Sequence, residues 1–193
     1  MVLALGNPIR SDDGVGLAAL RRLETDPRVP GSITLVDGGT KGLELVSYVS
    51  GTSHLLILDA VDVSAEAGTV IRIEGDELRS LPGTGSVHEL ALADILNALR
   101  MLGEEPQQTV FLGMQPRTTE LGTCLSECVE GAVPSLVEAA VAQLLEWSYH
   151  EPYRQRGELN NPEMEKGGIR TRDRQGSLPS SVSGVFDVPS NSR

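Results

Sequence analysis

The strongest constraint on the fold is a regular alternation of short apolar segments with segments of helical periodicity. The segments Val2–Leu5 and Leu55–Leu58 contain no polar residue, as expected for strands covered on both faces of a sheet. Further along, Leu92, Ile95 and Leu99 recur at helical spacing. Alternating strands and helices favour an open, mostly parallel sheet. We therefore predict an α/β fold: a three-layer sandwich with a mostly parallel, twisted sheet of about five strands and helices on both faces.

The predicted elements occupy residues 1–150, which we interpret as one domain. Strands are expected at Val2–Leu5, Ser32–Val36, Leu55–Leu58, Gly68–Glu74 (an edge strand) and Thr109–Leu112. Helices are expected over residues 12–26, 42–49, 88–102 and 126–148. Residues 151–193 have no apolar periodicity and are rich in Gly, Pro, Ser and Asn clusters, so we predict a disordered tail there.

The negative charge of the chain excludes several classes of partner. Its 193 residues include 16 basic and 27 acidic side chains, for a net charge of −11. No basic stripe is left to neutralise phosphates, so we expect neither nucleic acid nor a membrane surface as a partner. The short apolar run at the N-terminus has no basic segment before it, which argues against a signal peptide. We expect a cytoplasmic protein that is a monomer.

The two cysteines, Cys124 and Cys128, stand four residues apart. This spacing fits neither a disulfide framework nor the CxxC pattern of a zinc site. We interpret them as two small apolar residues on one helical face.

Acidic residues follow three of the predicted strands. Asp12 and Asp13 come after the first strand, Asp37 after the second and Asp59 after the third. Ligands of open α/β sheets bind outside the carboxyl ends of the strands. His88 opens the helix predicted from residue 88. Two carboxylates and one imidazole, from Asp13, Asp59 and His88, would suit a first-row divalent metal and leave coordination positions open.

The glycine-rich loop after the first strand is not a phosphate-binding loop. Its spacing differs from GxGxxG, and it lacks the lysine of a P-loop. Asp12 and Asp13 would lie where phosphates bind at a helix N-terminus, where their charge repels an anion and attracts a cation. An aspartate at a helix N-terminus can also be only a cap, so the metal hypothesis depends on the convergence of all three side chains.

Five motifs then follow one another in order along residues 1–148. They are Gly6-Asn7 with Asp12-Asp13-Gly14-Val15-Gly16, Asp37-Gly38-Gly39-Thr40-Lys41-Gly42-Leu43-Glu44-Leu45, His54-Leu55-Leu56-Ile57-Leu58-Asp59-Ala60-Val61-Asp62, Ser86-Val87-His88-Glu89-Leu90 with Ala93-Asp94-Ile95-Leu96, and Gly113-Met114-Gln115-Pro116. In this combination the sequence resembles the nickel–iron hydrogenase maturation endopeptidases. The resemblance implies a phosphorylase/hydrolase-like fold and removal of the C-terminal extension of the hydrogenase large-subunit precursor after nickel insertion.

The resemblance also implies roles for individual residues. It places the nickel-contacting positions at Asp13, Asp59 and His88, with nickel supplied by the precursor rather than permanently bound. Asp37 belongs to the family's Asp-Gly-Gly-Thr loop near the cleft, and either Asp13 or Asp37 is expected to act as general base. The implied partner is the precursor. The protease would detect the nickel in the precursor before it cuts the precursor's peptide bond.

Two other functions remain open from the sequence. A nickel-dependent checkpoint or chaperone without proteolysis would keep the same three ligands. A peptidyl-tRNA hydrolase-like enzyme also has Gly-Asn-Pro after its first strand. Its catalytic His and Asn should follow in that loop, where this chain has Asp12 and Asp13, and the acidic balance opposes tRNA binding.

Overall fold

The computed structural model describes residues 1–80 and 87–158, without the side chains of residues 76, 79, 80, 87–91 and 150–158. Within these residues the chain forms a five-stranded sheet of order β2-β1-β3-β5-β4. The strands are β1 (Val2–Leu5), β2 (Leu35–Gly39), β3 (His54–Ala60), β4 (Val70–Glu74) and β5 (Gln108–Met114). β4 pairs antiparallel with β5, and all other pairs are parallel. The predicted sheet, including its edge strand, is confirmed.

Helices cover both faces of this sheet. α1 (Val15–Leu23) and α4 (Glu127–Glu158) lie on one face, and α2 (Val46–Val49) and α3 (Val87–Leu102) lie on the other. A 3-10 turn at Ser11–Gly14 precedes α1, a second at Leu43–Leu45 precedes α2, and a third at Gly75–Ser80 follows β4. The predicted three-layer sandwich is therefore confirmed.

Alternate side chains of the central strands supply two separate cores. In β1, Val2 and Ala4 pack with α1 and α4, whereas Leu3 and Leu5 pack with α2 and α3. The same alternation runs through β3 and β5. Because successive side chains of a strand point to opposite faces and both faces are covered, β1 is apolar at every position, and the polar residues of β3 and β5 lie near the ends of the strands.

Some element boundaries differ from the predicted ones. β2 begins at Leu35 rather than at residue 32, because the Ile33 amide donates to the Pro30 carbonyl at 2.9 Å and closes a turn there. α4 continues through residues 151–158, where Arg, Gln and Glu are good helix formers. Residues 159–193 lie outside the described part of the chain, so the disorder of the predicted tail stays a prediction.

The first part of α4 is unusually apolar. The stretch Glu127–Tyr149 has a mean hydropathy of 1.4 and is long and apolar enough to cross a membrane. Its inner face, with Val133, Leu136 and Ala140, is fully buried against the sheet. The apolar side chains on this face of the stretch therefore form part of the core.

The helix α1 lies directly over the carboxyl ends of the central strands. A Cβ atom on Gly16 would lie 2.5 Å from the carbonyl oxygens of both Leu5 and Leu58. Only glycine allows so close an approach of helix and strands. This contact fixes the turn Ser11–Gly14 at the edge of the sheet where β1 and β3 end.

Candidate active site at the carboxyl edge of the sheet

The loop after β1 is built around Gly6, which has a φ of +126°. A Cβ atom there would lie 2.0 Å from the Asp13 carbonyl oxygen, so only glycine fits. The Asn7 amide donates to the Asp13 carbonyl oxygen and to Asp13 Oδ2, both at 3.2 Å. The loop therefore folds back on the turn Ser11–Gly14 and holds Asp13 beside the end of β1.

Asp13 and Asp59 are buried acids at this edge, with exposed fractions of 7% and 3%. The position of a Cβ atom on Gly6 would be 3.6 Å from Asp59 Oδ1, while Asn7 bonds the Asp13 carboxylate. The two acids therefore flank the Gly6-Asn7 peptide. Buried carboxylates are costly unless hydrogen bonds or a cation compensate them. Hydrogen bonds supply part of this compensation, since Asp59 Oδ1 also accepts from the Ala60 amide at 2.8 Å.

The third predicted ligand, His88, lies in the first turn of α3, and its side chain is outside the described part of the structure. Among the side chains that are described, no group of three or more His, Cys, Asp or Glu could hold a metal ion. The structure thus brings Asp13 and Asp59 to one edge, and the triad with His88 stays a prediction.

Asp37 lies at the same edge but in a different environment. It belongs to β2, in register with Ala4 of β1, and it is exposed. The Gly6 amide donates to the Gly39 carbonyl at 3.0 Å, which ties the loop after β2 to the loop after β1. The Asp37 residue is open to solvent at the edge where the buried acids lie, so a substrate could reach it.

Asp12 is fully buried and has a role that the sequence did not indicate. Its carboxylate accepts hydrogen bonds from the amides of Arg117 at 3.0 Å, Thr118 at 3.1 Å and Ser126 at 2.6 Å, and from the Ser126 hydroxyl at 2.8 Å. These donors compensate the buried charge. The argument that a cation is attracted here therefore applies to Asp13, whereas Asp12 fastens the loop between β5 and α4.

Gln115 is a second residue that sequence reasoning missed. Its Oε1 accepts from the amides of Val63 at 2.9 Å and Ala65 at 3.2 Å, and its Nε2 donates to Asp62 Oδ1 at 3.0 Å. The Ser64 amide, and secondly Gln115, hold the pKa of Asp62 below its usual value. Gln115 thereby orders the loop after β3. Its only sequence signal is its place in the last of the five motifs.

The interpretation of the two cysteines as apolar residues on one helical face is wrong. Cys124 lies in the loop before α4, Cys128 lies in the first turn of α4, and both are exposed. The helix begins only at Glu127, because Ser126 is held by Asp12. Hydrogen bonding with the Ser126 hydroxyl, and less strongly with the Arg117 side chain, lowers the pKa of Cys128.

A three-layer α/β fold with two buried acids and an exposed one at the carboxyl edge of its sheet suits hydrolysis by acid–base or metal-assisted chemistry. The family model described as hydrogenase maturation protease matches residues 18–143. The hydrogenase 2 maturation protease of Escherichia coli (strain K12) is 33% identical over 148 residues, covering 76% of this chain and 90% of that protein. The hydrogenase expression/formation protein HupD of Rhizobium leguminosarum bv. viciae is 32% identical over 168 residues, covering 86% and 83%.

Solved structures agree with this similarity. The hydrogenase maturating endopeptidase HybD from E. coli superposes with a TM-score of 0.71 at 32% identity, covering 75% of this chain and 92% of that chain. The HybD maturation protease from Thermococcus kodakarensis gives a TM-score of 0.63 at 27% identity, covering 74% and 97%. The chain belongs to the hydrogenase maturation protease family.

Family membership confirms the predicted fold and the predicted enzyme class. The protein is an endopeptidase that processes the hydrogenase large subunit. Membership of this family does not favour a checkpoint without proteolysis or a peptidyl-tRNA hydrolase-like enzyme, the two other functions that remain open from the sequence.

Proposed function

We propose that this endopeptidase removes the C-terminal extension of a nickel–iron hydrogenase large-subunit precursor after nickel insertion, and recognises the inserted nickel through Asp13, Asp59 and His88. The observation that carries the proposal is the pair of buried acids, Asp13 and Asp59, on either side of the Gly6-Asn7 peptide. The nickel is part of the substrate and arrives with the precursor.

The chemistry of the donor set supports nickel over harder ions. Two carboxylates and an imidazole offer mixed oxygen and nitrogen ligands, which first-row transition ions accept and which Ca²⁺ and Mg²⁺ favour less. A nickel ion held by the precursor would also compensate the charge of two carboxylates that are almost completely buried. A precursor without nickel would leave that charge uncompensated, so the same two acids would discriminate against it.

Hydrolysis of the peptide bond needs a group that takes a proton from the attacking water. We propose Asp13 or the exposed Asp37 for this role, because both carboxylates lie at the edge where β1 and β2 end. A carboxylate within hydrogen-bond reach of the water contributes typically about 10²–10⁴-fold to the rate. Nickel, when the precursor brings it, supplies a Lewis acid that can polarise the scissile carbonyl.

Two exposed apolar side chains, in loops that adjoin the turn carrying Asp13, support docking of a protein substrate. Ile9 is 57% and Leu121 is 83% exposed, and the Gly122 amide donates to the Ile9 carbonyl at 3.1 Å, so the two loops adjoin. Neighbouring exposed apolar side chains, unlike isolated ones, can mark a protein contact surface. We propose that the precursor covers them, and that the protease works as a monomer in the cytoplasm.

Mass spectrometry of the precursor tests the proposal. The protein is mixed with nickel-loaded and with nickel-free precursor, and we expect loss of the C-terminal peptide from the loaded form only. Equal cleavage of both forms would refute nickel recognition, and binding of the loaded form without a mass change would favour a checkpoint. Asp59→Asn should slow cleavage at least about 100-fold, whereas Asp26→Asn, beyond the far end of α1, should not.

A further inference from the structure

We infer that Asp12 is a positioning residue for the peptidase reaction. Its buried carboxylate fastens the loop of residues 115–126 to the turn that carries Asp13, and this attachment sets the direction of the Asp13 carboxylate. The inference rests on the proposed function, because it takes Asp13 as the group that meets the substrate.

The attachment is long-range and involves both the side chain and the backbone of Asp12. The four donors to its carboxylate lie 105 to 114 residues further along the chain. The Asp12 amide also donates to the Thr118 carbonyl at 3.2 Å. Hydrogen bonds to an ionised acceptor are about twice as strong as neutral ones, and this acceptor is fully buried. Asp12 is thus the strongest link between the turn and the loop among the described contacts.

The same loop holds the turn in a strained conformation just before the acids. Ser11 has a φ of +47°, a region that non-glycine residues occupy only when the surroundings enforce it. Its amide donates to the Gly122 carbonyl at 2.8 Å, and Arg10 Nε donates to the Thr119 carbonyl at 3.0 Å. If the loop withdraws, nothing in these contacts keeps Ser11 in that conformation, and the turn relaxes.

Relaxation of the turn would displace Asp13, because Asp12 and Asp13 share a peptide bond. Two hydrogen bonds of Asp13 are long: its amide donates to the Arg10 carbonyl at 3.1 Å, and its Oδ2 accepts from the Asn7 amide at 3.2 Å. They join it to the same turn and to the loop after β1, so they move with the turn. A misplacement of about 1 Å at a reacting group can cost about 100-fold in rate.

Asparagine at position 12 keeps the shape of the side chain and breaks the attachment. One of its two polar atoms is an NH₂ group, which would face amide donors where a carboxylate oxygen accepts now. Asp26→Asn is the matched control: Asp26 also accepts from a backbone amide, that of Arg28 at 2.9 Å, but it lies beyond the far end of α1. The change of charge and shape is the same at both positions.

The experiment measures kcat and KM for nickel-loaded precursor, together with hydrogen exchange of the amides of Arg117, Thr118 and Ser126. For Asp12→Asn we expect kcat to fall about 100-fold with KM within about 3-fold of wild type, and the three amides to exchange faster. Asp26→Asn should leave kcat, KM and these exchange rates unchanged. A normal kcat in folded Asp12→Asn would overturn the inference.

Ser126 variants keep the test decisive if Asp12→Asn does not fold. Ser126→Ala removes one of the four donors, and kcat should fall about 3–10-fold with KM unchanged, whereas Ser126→Thr keeps a hydroxyl and should restore kcat. A loss that appears in KM, or that threonine does not restore, would also overturn the inference. Failure of the wild type to cut loaded precursor would instead refute the proposed function.

Discussion

Replacing Gly6 with alanine should lower the rate of cleavage by more than the loss of folding stability explains. A Cβ atom at this position would lie 2.0 Å from the Asp13 carbonyl oxygen, whereas real Cβ contacts stay above 3.0 Å. Asp13 or Gly6 must therefore move by about 1 Å, a misplacement that can cost about 100-fold in rate. That factor corresponds to about 2.7 kcal/mol of transition-state stabilisation. The positive φ adds about 1–3 kcal/mol of backbone strain to the loss of folding stability.

Gly51→Ala separates these two effects. Gly51 also has a positive φ, +74°, but a Cβ atom there would have no neighbour within 4 Å. We expect this variant to lose about 1 kcal/mol of stability and to keep its activity. The assays are urea unfolding and kcat/KM for nickel-loaded precursor. The reasoning is refuted if Gly6→Ala retains kcat/KM within about 3-fold of Gly51→Ala.

Three further predictions concern other parts of the molecule. The pH dependence of Cys128 alkylation in a Cys124→Ser background should show a thiol pKa below the usual value. Ser126→Ala should raise that pKa, because the Ser126 hydroxyl stabilises the thiolate. An alkylation profile that Ser126→Ala leaves unchanged would contradict this. Ile9→Ser with Leu121→Ser should raise KM for the precursor about 5-fold with kcat unchanged; an unaltered KM would remove these side chains from the docking surface. Arg28 lowers the pKa of Asp26 to about 2, below the usual 3.8, so Asp26→Asn should reduce the free energy of unfolding above pH 3.8. That difference should vanish as the pH falls through about 2, in denaturant titrations at a series of pH values; a difference that persists below pH 2 would contradict the assignment.

The architecture was largely predictable because burial on both faces leaves a local signature. Leu55–Leu58 is apolar at every position, since its side chains alternate between two cores, and this pattern is visible in the sequence alone. The start of β2 was not visible, because it depends on a turn between Pro30 and Ile33. The alternation of apolar strands with helical segments, together with the five motifs, is enough to predict the fold. The first and last residues of single strands and helices depend on individual hydrogen bonds.

The site was predictable only in part, because adjacent acids can face opposite environments. Asp12 and Asp13 are neighbouring acids of one loop, yet Asp12 accepts four hydrogen bonds from a loop more than 100 residues away and Asp13 flanks the Gly6-Asn7 peptide. No local pattern distinguishes them, since the donors are mostly backbone amides whose position the fold decides. Gln115 was missed for the same reason: its partners are amides of the loop after β3.

The most direct test of the proposed nickel recognition is the X-ray absorption spectrum of the precursor's nickel, recorded free and in a freeze-quenched complex with the protease. Our account predicts new oxygen and nitrogen ligands in the complex, contributed by Asp13, Asp59 and His88, and their loss when Asp59→Asn is used. A nickel spectrum that does not change on complex formation, while the precursor is still cleaved, would contradict it.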